Sequence, residues 1–559
     1  MARIIPFKLN RNSRQQRSRR GEVPPTVAER LARLREEVEG LERLAKTQAA
    51  EKALPSFIAF ETTLKEKLDA VGRAATELFL THAEERVAAA SKDGIQCGDR
   101  ILRPAPWLQA RNVTCRFGVV RHWRTYAREN HDGRRRGFHP LDVALGLSAD
   151  RFSWNVLSLS VRLATKTSFA EARATVGLFL PNAPSTEVIE QSVLGLGKFT
   201  GKWVENLPAP EGDGEVLVVM IDSKGAPTAT EEELRRRRGK RRRRPPAPSP
   251  RHRGRHRRGQ YPQKPRRKKG DKSKNAKMAT LIVMYTLRRS GQYLLGPINR
   301  WIYVSFAPKE HAFQIARREA NKRGFAPESG RLIQLVTDGD NDLDCYAKRY
   351  FPEAIHTIDV MHVIEKLWTA GECIHEEGSK ALKKWVERQK KRLYGGAAAQ
   401  IVAELKRQLN ATPKTGPGNK GKRERLTDVI RYVEKRLDRM NYHELLAQDL
   451  EIGSGAVEGA VKNVIGKRCD HGGMRWIKER VEALIQLRCI EINGQWDAFI
   501  AAVHDQLKAA AAATGRRPRL QSESPAPLPV VLTLPAVRMP SAAGDQTDRT
   551  EAPALAEAA

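Results

Sequence analysis

The sequence predicts an α/β protein: a mixed β-sheet that carries an all-helical insertion and follows a mainly helical N-terminal region. Three observations predict this class. Short apolar runs bounded by turn residues indicate buried strands. Amphipathic stretches between the later runs indicate helical crossovers. The interval 360–450 has a helical pattern almost throughout, interrupted only at TPKTGPGNKGK (412–422).

The sheet is predicted to begin near residue 213, and its first part ends at 359. Three meandering strands are followed by two more that helices near 309–323 and 341–350 would add in parallel. The runs that predict the strands are VLVVMI (216–221), MATLIVMYTL (278–287), WIYVSF (301–306), LIQLVT (332–337) and AIHTI (354–358). Closing helices are expected over 451–505.

The N-terminal region is predicted in three parts. Residues 1–25 have the composition of a disordered basic arm, and 26–95 are expected to be helical. Apolar residues recur every three or four positions from Thr26 but cover barely two heptads, which favours an ordinary amphipathic helix over a dimerisation zipper. Residues 96–212 combine a small β element with further helices. At the other end, 510–559 is rich in Ala and Pro and is expected to be disordered.

The charge of the chain favours a polyanionic partner. Its 559 residues carry 100 Lys+Arg against 65 Asp+Glu, a net charge of +35. The low-complexity run 235–277 holds 22 Lys/Arg and one acid, yet the remainder is still basic. Nucleic acid fits this distribution better than an anionic membrane surface, because no long amphipathic basic helix accompanies the charge.

Compartment signals point to the cytoplasm. No run of about 18 apolar residues occurs, and the basic N-terminus lacks the apolar segment of a secretory signal. The six cysteines are scattered without CxxC pairing, which argues against structural zinc and favours a reducing compartment.

The region 96–212 contains the candidate DNA-contacting segments. In 99–126, arginines that include Arg121 and Arg124 alternate with aromatic residues, a pattern that grips phosphates and stacks bases or else forms a solvated basic face. Ser168 and Glu171 form a capping box that opens a helix. The spacing permits a helix-turn-helix, but the second helix, STEVIEQSVL, has two Glu and no Lys or Arg, so a structural helix pair is an equal alternative.

Three acidic residues are the candidate catalytic centre. Asp222 and Asp338 each end a predicted strand, and Glu458 lies in a helical stretch after the insertion. An Asp after a strand is commonly a turn or capping residue, so the interpretation depends on all three occurring in this order. An RNase H-like core assembles a two-metal site in this way. Carboxylate oxygens are the ligands that Mg²⁺ prefers, with Mn²⁺ as a substitute, and two ions are expected.

Competing motifs fit less well. DGDNDLD (338–344) begins like a calcium loop, but Leu343 stands where glycine is needed and Arg349 where the bidentate Glu is needed. No GxxxxGK[ST] motif occurs, which disfavours a nucleotide-driven motor.

Four blocks of sequence resemble the DDE transposases of bacterial insertion sequences, in particular the ISKra-type branch with a helical insertion before the final Glu. They are IDSKGAP, TDGDNDL, IHTIDVMHVIEKLW (355–368) and GSGAVEGAVKNVIGKRCDHGGMRWIKERVEALIQLR (453–488). The resemblance spans about 95–500. It implies an RNase H-like fold, DNA strand transfer at transposon ends, and catalytic carboxylates at Asp222, Asp338 and Glu458. It also implies a bacterial protein associated with the nucleoid.

The same resemblance implies further site residues. Asp359 and His362 match a D-x-x-H element near the active site, so His362 would contact the scissile phosphate or stabilise the core; a capping Asp with a packed His is the alternative. Trp368 would stack on a base or pack in the core. In the last block, four basic residues are placed to meet phosphates: Lys462, Lys467, Arg468 and Arg475.

Three departures from the family pattern stand out. Asp340 follows Asp338 where a small residue is usual, and so competes with it for the role of second ligand. Ser223 replaces the more usual glycine, and the basic run is unusually long.

The leading hypothesis is a Mg²⁺-dependent transposase that binds terminal inverted repeats and target DNA as a homodimer or larger assembly, with no membrane partner. A non-catalytic DNA-binding derivative and a structure-specific nuclease on the same fold are the alternatives.

Overall fold

The computed structural model describes residues 22–50, 54–91, 93–97, 100–128, 137–235, 276–470, 474–514, 519–520, 522 and 526–531. Over these residues the fold is mixed α/β, as predicted, with two β-sheets and many helices. The basic arm up to residue 21 and most of the basic run, 236–275, lie outside the described residues. No helix in the described part is long and apolar enough to cross a membrane.

The N-terminal helices Val27–Ala50 and Phe57–Ala90 form an antiparallel hairpin. A buried ion pair joins Arg30 to Glu77, and Thr26 forms a capping box with Glu29 at the first helix start. The first helix therefore packs against its neighbour in the same chain, as an ordinary amphipathic helix does.

A four-stranded antiparallel sheet follows, in the order β1 (Ile95–Cys97), β2 (Arg100–Cys115), β3 (Gly118–Arg128) and β4 (Gly137–Phe138). Acidic side chains of the long helix cover one edge of β3. The N–H groups of Arg121 and Thr125 donate to the carboxylates of Glu77 and Glu84, each at 2.8 Å. These contacts satisfy strand amides that would otherwise be exposed.

Five helices come next, and Ser153, Ser168 and Ser185 cap three of them as N-caps. The apolar faces of the last four of these helices share one core with the closing helices of the chain, whereas Val143 of the first packs against a small core in the first sheet. The helix pair around Ser168 is thus part of a larger packed unit. The five helices are Pro140–Ala144, Trp154–Lys166, Phe169–Phe179, Thr186–Gly197 and Thr200–Asn206.

The second sheet has the strand order β7-β6-β5-β8-β9. β5 pairs antiparallel with β6 and parallel with β8, and β8 pairs parallel with β9. Successive residues of β5 alternate between two cores, with Val218 in one and Val219 in the other, so the sheet is buried on both faces. The strands are β5 (Val216–Pro227), β6 (Ala276–Ser290), β7 (Tyr293–Ser305), β8 (Leu332–Thr337) and β9 (Ile355–Ile358).

Helices connect and follow these strands. Lys309–Lys322 and Asn341–Tyr350 make the two crossovers, with a short 3-10 helix at Pro327–Ser329. The interval after β9 is helical, as predicted: Val360–Ile374, Lys380–Tyr394, Ala398–Ala411, Asn419–Glu434, the 3-10 turn Leu437–Arg439, and Tyr442–Ala447. The chain then forms Gly455–Val461, a π-helix at Lys462–Gly466, and the helices Lys467–Cys469, Lys478–Ile492 and Trp496–Thr514.

The prediction of disorder from residue 510 is wrong for part of the tail. The last helix runs to Thr514, Leu520 is buried, and the N–H of Ser522 donates to the carbonyl of Gln191 at 3.2 Å. Leu520 has an apolar core to pack against, which composition alone does not reveal. Residues 532–559 lie outside the described part.

Candidate metal centre

Asp222 and Asp338 lie beside each other at the same edge of the second sheet. Ile221 pairs with Thr337 in the parallel β5–β8 ladder, and each aspartate is the next residue along its strand direction. Both side chains are half-buried. The prediction that Asp222 ends its strand is wrong, because β5 continues to Pro227 through its antiparallel pairing with β6. Asp222 lies where the parallel pairing with β8 stops, beside the carboxyl end of β8, and such strand ends are where α/β sheets form binding sites.

The charge environment of Asp222 includes the other two predicted acids. Burial raises the pKa of Asp222, and the nearby carboxylates of Asp338 and Glu458 raise it further. The N–H of Ser223 and the imidazole of His362 act in the opposite direction. Asp338 and Glu458 therefore both repel an ionised Asp222, and a bound cation would relieve this repulsion.

Glu458 approaches from the exposed first turn of the helix Gly455–Val461. Ser454, one turn earlier, has its hydroxyl oxygen 3.2 Å from Glu458 Oε1, while its one proton serves the shorter hydrogen bond, of 2.7 Å, to Asp359 Oδ2. The helix continues into the π-helix at Lys462–Gly466, an irregularity often found at functional sites.

A second polar group, built around Asp359, adjoins the acids. Asp359 is fully buried and accepts hydrogen bonds from the N–H of Met361, the N–H and hydroxyl of Ser454, and His362 Nδ1, at 2.6 to 3.2 Å. The hydrogen bond to Asp359 raises the pKa of His362 to about 9. His362 is therefore a cation at neutral pH. Asp359 is both the N-cap of the helix Val360–Ile374 and the buried counter-ion of His362.

Two sets of ligands are conceivable at this edge of the sheet. Among the described residues, the ligand atoms of Asp222, Asp338 and Glu458 do not all lie within 4.8 Å of one another. Those of Asp359, His362 and Glu458 do, which is close enough to share an ion. However, the carboxylate of Asp359 already accepts four hydrogen bonds. A protonated imidazole has no lone pair to offer a metal. Asp222, Asp338 and Glu458 are the more suitable oxygen donors for a hard cation.

Asp340 is occupied elsewhere. Its exposed carboxylate caps the helix Asn341–Tyr350 by accepting from the N–H of Asp342 at 2.8 Å, and it pairs with Lys309 Nζ at 3.0 Å. Asp338, in contrast, accepts through Oδ1 from the N–H of Asp340, and its main-chain oxygen accepts from Tyr432 Oη at 2.7 Å. Neither Lys309 nor Tyr432 was among the sequence candidates.

The four basic residues of the last block divide into two groups. Lys462 and Lys467 are exposed, and Arg475 is half-buried with Nη1 4.0 Å from Glu233. The prediction that Arg468 contacts phosphate is wrong, because the residue is only 1 % exposed. Its Nε donates to the carbonyl of Ala164 at 2.8 Å and its guanidinium lies 4.7 Å from the ring centre of Trp476, so it joins the helices before the sheet to the closing block.

The two arginines of the first sheet also differ. Arg124 is buried and forms an ion pair with the fully buried Asp142, so the prediction that it contacts DNA is wrong. Arg121 is 43 % exposed, pairs with Glu22 and lies 5.4 Å from the ring centre of Trp123. It lines an open cleft together with Arg30 and Arg33. Trp368 is half-buried against the main core, as expected of the packing alternative.

Comparison of the chain with protein-family models and with curated proteins finds no match.

Proposed function

We propose that the protein is a metal-dependent DNA transposase with an RNase H-like core, which cleaves and joins DNA strands at transposon ends. One observation carries the proposal: the β5–β8 register sets Asp222 beside Asp338, and Asp222 is electrostatically coupled to Glu458. The strand order β7-β6-β5-β8-β9, with helices inserted between the last strand and Glu458, is the order expected for this core.

The three carboxylates suit Mg²⁺ by their chemistry. All donors are oxygens, Asp222 lies within the buried strand β5, and Asp338 directly follows β8. The pKa of Asp222 is raised by burial and also by the neighbouring carboxylates, whose negative charge a divalent cation would balance. When bound, a pair of Mg²⁺ ions supplies activation of the attacking oxygen and stabilisation of the leaving oxygen. Mn²⁺ has the same preference for oxygen ligands.

The protein's own basic groups supply the positive charge that DNA phosphates require. His362, held as a cation by Asp359, presents positive charge beside the acids, suited to a scissile phosphate. Lys462 and Lys467 are exposed on the segment that follows Glu458, and can neutralise flanking phosphates. The excess positive charge of the chain provides sequence-independent affinity that falls steeply with salt.

The proposal is tested by measuring strand cleavage and joining on a labelled duplex. The duplex carries the end sequence of the transposon that encodes this protein. The full chain should nick and then join strands with Mg²⁺ or Mn²⁺, and Asp222→Asn should abolish both steps while DNA affinity is retained. DNA binding without cleavage in either metal would contradict the proposal and favour the non-catalytic alternative. Nicking without joined product would favour the structure-specific nuclease.

A further inference from the structure

The second half of the helical insertion is fastened to the ends of β8 and β9. Tyr432 Oη donates to the main-chain oxygen of Asp338 at 2.7 Å. Tyr442 Oη donates to the main-chain oxygen of Ile358 at 2.8 Å, one residue before Asp359. Two tyrosines, 94 and 84 residues away in sequence from their partners, thus hold the two chain segments that carry polar groups of the candidate centre.

The contact at Asp338 leaves no free space. Gly339 has φ +77°, a conformation that glycine adopts readily. A Cβ at this position would lie 2.7 Å from Tyr432 Oη and 2.9 Å from Arg436 Nε. The insertion therefore packs directly on the backbone of the Asp338 loop, and glycine is required there both by conformation and by close approach.

Buried charges hold the insertion against the next helix. Arg436 is 3 % exposed, donates to Asn341 Oδ1 at 3.1 Å, and pairs with Asp344 at 2.9 Å. Arg439 pairs with the same carboxylate at 2.8 Å. Pairs of this kind are costly to separate, because each would leave an unpaired buried charge. Tyr432 is consequently carried on a surface that is fixed relative to the Asp338 loop.

Both tyrosines act as donors at physiological pH. Burial raises the pKa of Tyr432 and of Tyr442, so their hydroxyls stay protonated. Each occupies one lone pair of a carbonyl at a strand end, where the chain turns away from the sheet. A metal site requires its ligands to be held within about 0.5 Å of the productive geometry, which calls for such support.

We propose that Tyr432 and Tyr442 are positioning residues of the metal centre, and that the helical insertion supports Asp338 and Asp359 through their main chain. This inference rests on the proposed function. It gives the insertion a role within the centre itself, apart from any contact it makes with DNA.

Mn²⁺ binding to the full chain without DNA, followed by calorimetry, tests this role independently of activity. Tyr432→Phe removes one hydroxyl and should weaken Mn²⁺ binding by roughly fivefold, the usual effect of one lost hydrogen bond. The matched control is Tyr350→Phe, at the end of the helix that follows the Asp338 loop. It removes a hydroxyl that donates to Glu310 Oε1 at 2.8 Å. The control should bind Mn²⁺ as the wild type does.

Amide hydrogen exchange provides the second readout. Tyr432→Phe should speed exchange across 338–342, and Tyr442→Phe across 358–362, while Tyr350→Phe leaves both segments unchanged. Wild-type affinity and exchange in both site variants would overturn the inference and leave the proposed function intact. A wild-type chain that binds no Mn²⁺ would instead overturn the proposed function.

Discussion

The choice between Asp338 and Asp340 yields the sharpest prediction of chemistry. Asp338→Asn removes a carboxylate at the end of β8, where it adjoins Asp222. Loss of one metal ligand costs roughly 4 kcal/mol of transition-state stabilisation, or about a thousandfold in rate. Asp340→Asn keeps a residue able to cap the helix and weakens only the pair with Lys309, whose partner carboxylate is 41 % exposed. A pair this exposed contributes up to about 1 kcal/mol, or about fivefold at most.

The assay is single-turnover nicking of a labelled transposon-end duplex in Mn²⁺, with DNA affinity and thermal stability measured on the same preparations. Asp338→Asn should lose nicking and keep its fold, and Asp340→Asn should stay within about fivefold of wild type. Equal losses in the two variants, or a greater loss in Asp340→Asn, would refute the assignment.

Three further predictions concern stability and DNA binding. Asp142→Asn removes the carboxylate that pairs with the buried side chains of Arg111 and Arg124, and should destabilise the first sheet by roughly 3–5 kcal/mol. Amide exchange in β2 and β3 should become faster, and an increase in exchange rate below about tenfold would contradict this prediction. The raised pKa of His362 stabilises the folded state; this stabilisation is complete below pH 6.5, the ordinary pKa, and is lost as pH rises through about 9. The melting temperature of the wild type should therefore fall more between pH 6.5 and 9 than that of His362→Gln. Parallel pH profiles of the two proteins would argue against the ion pair of His362 with Asp359. Glu22→Gln frees Arg121 and should raise DNA affinity about two- to fivefold at low salt by fluorescence anisotropy, whereas unchanged affinity would exclude this cleft from the DNA-binding surface.

The sheet and its acids were accessible from sequence because apolar runs of strand length are a local signal. The run LIQLVT matches β8 residue for residue, and VLVVMI starts where β5 starts. The register of β5 against β8 is not local, since it depends on how both faces of the sheet pack. The sequence therefore placed Asp222 and Asp338 directly after apolar runs, and predicted them to be neighbours only if the two strands pair. The structure shows that pairing.

The incorrect assignments share one cause. Arg468 and Arg124 look the same in sequence as surface arginines, but each has a partner brought in by the tertiary fold. The carbonyl that Arg468 contacts is 304 residues away, and Asp142 was not among the candidates. Arginine is the basic residue best suited to burial with such partners, which makes it a poor indicator of DNA contact by itself.

Ser454 was missed for the same reason. Its role depends on Asp359, 95 residues earlier, whereas its position four residues before Glu458 was visible in GSGAVEG. A small polar residue one turn before a candidate ligand is a usable signal only when the partner on the other side is known.

Diffraction from crystals of the full chain grown with Mn²⁺, using the anomalous signal of the metal, tests the central claim most directly. The account predicts a peak at about 2–2.5 Å from carboxylate oxygens of both Asp222 and Asp338, with Asp340 still paired to Lys309. A peak held by Asp359, His362 and Glu458, with Asp222 and Asp338 bare, would contradict it.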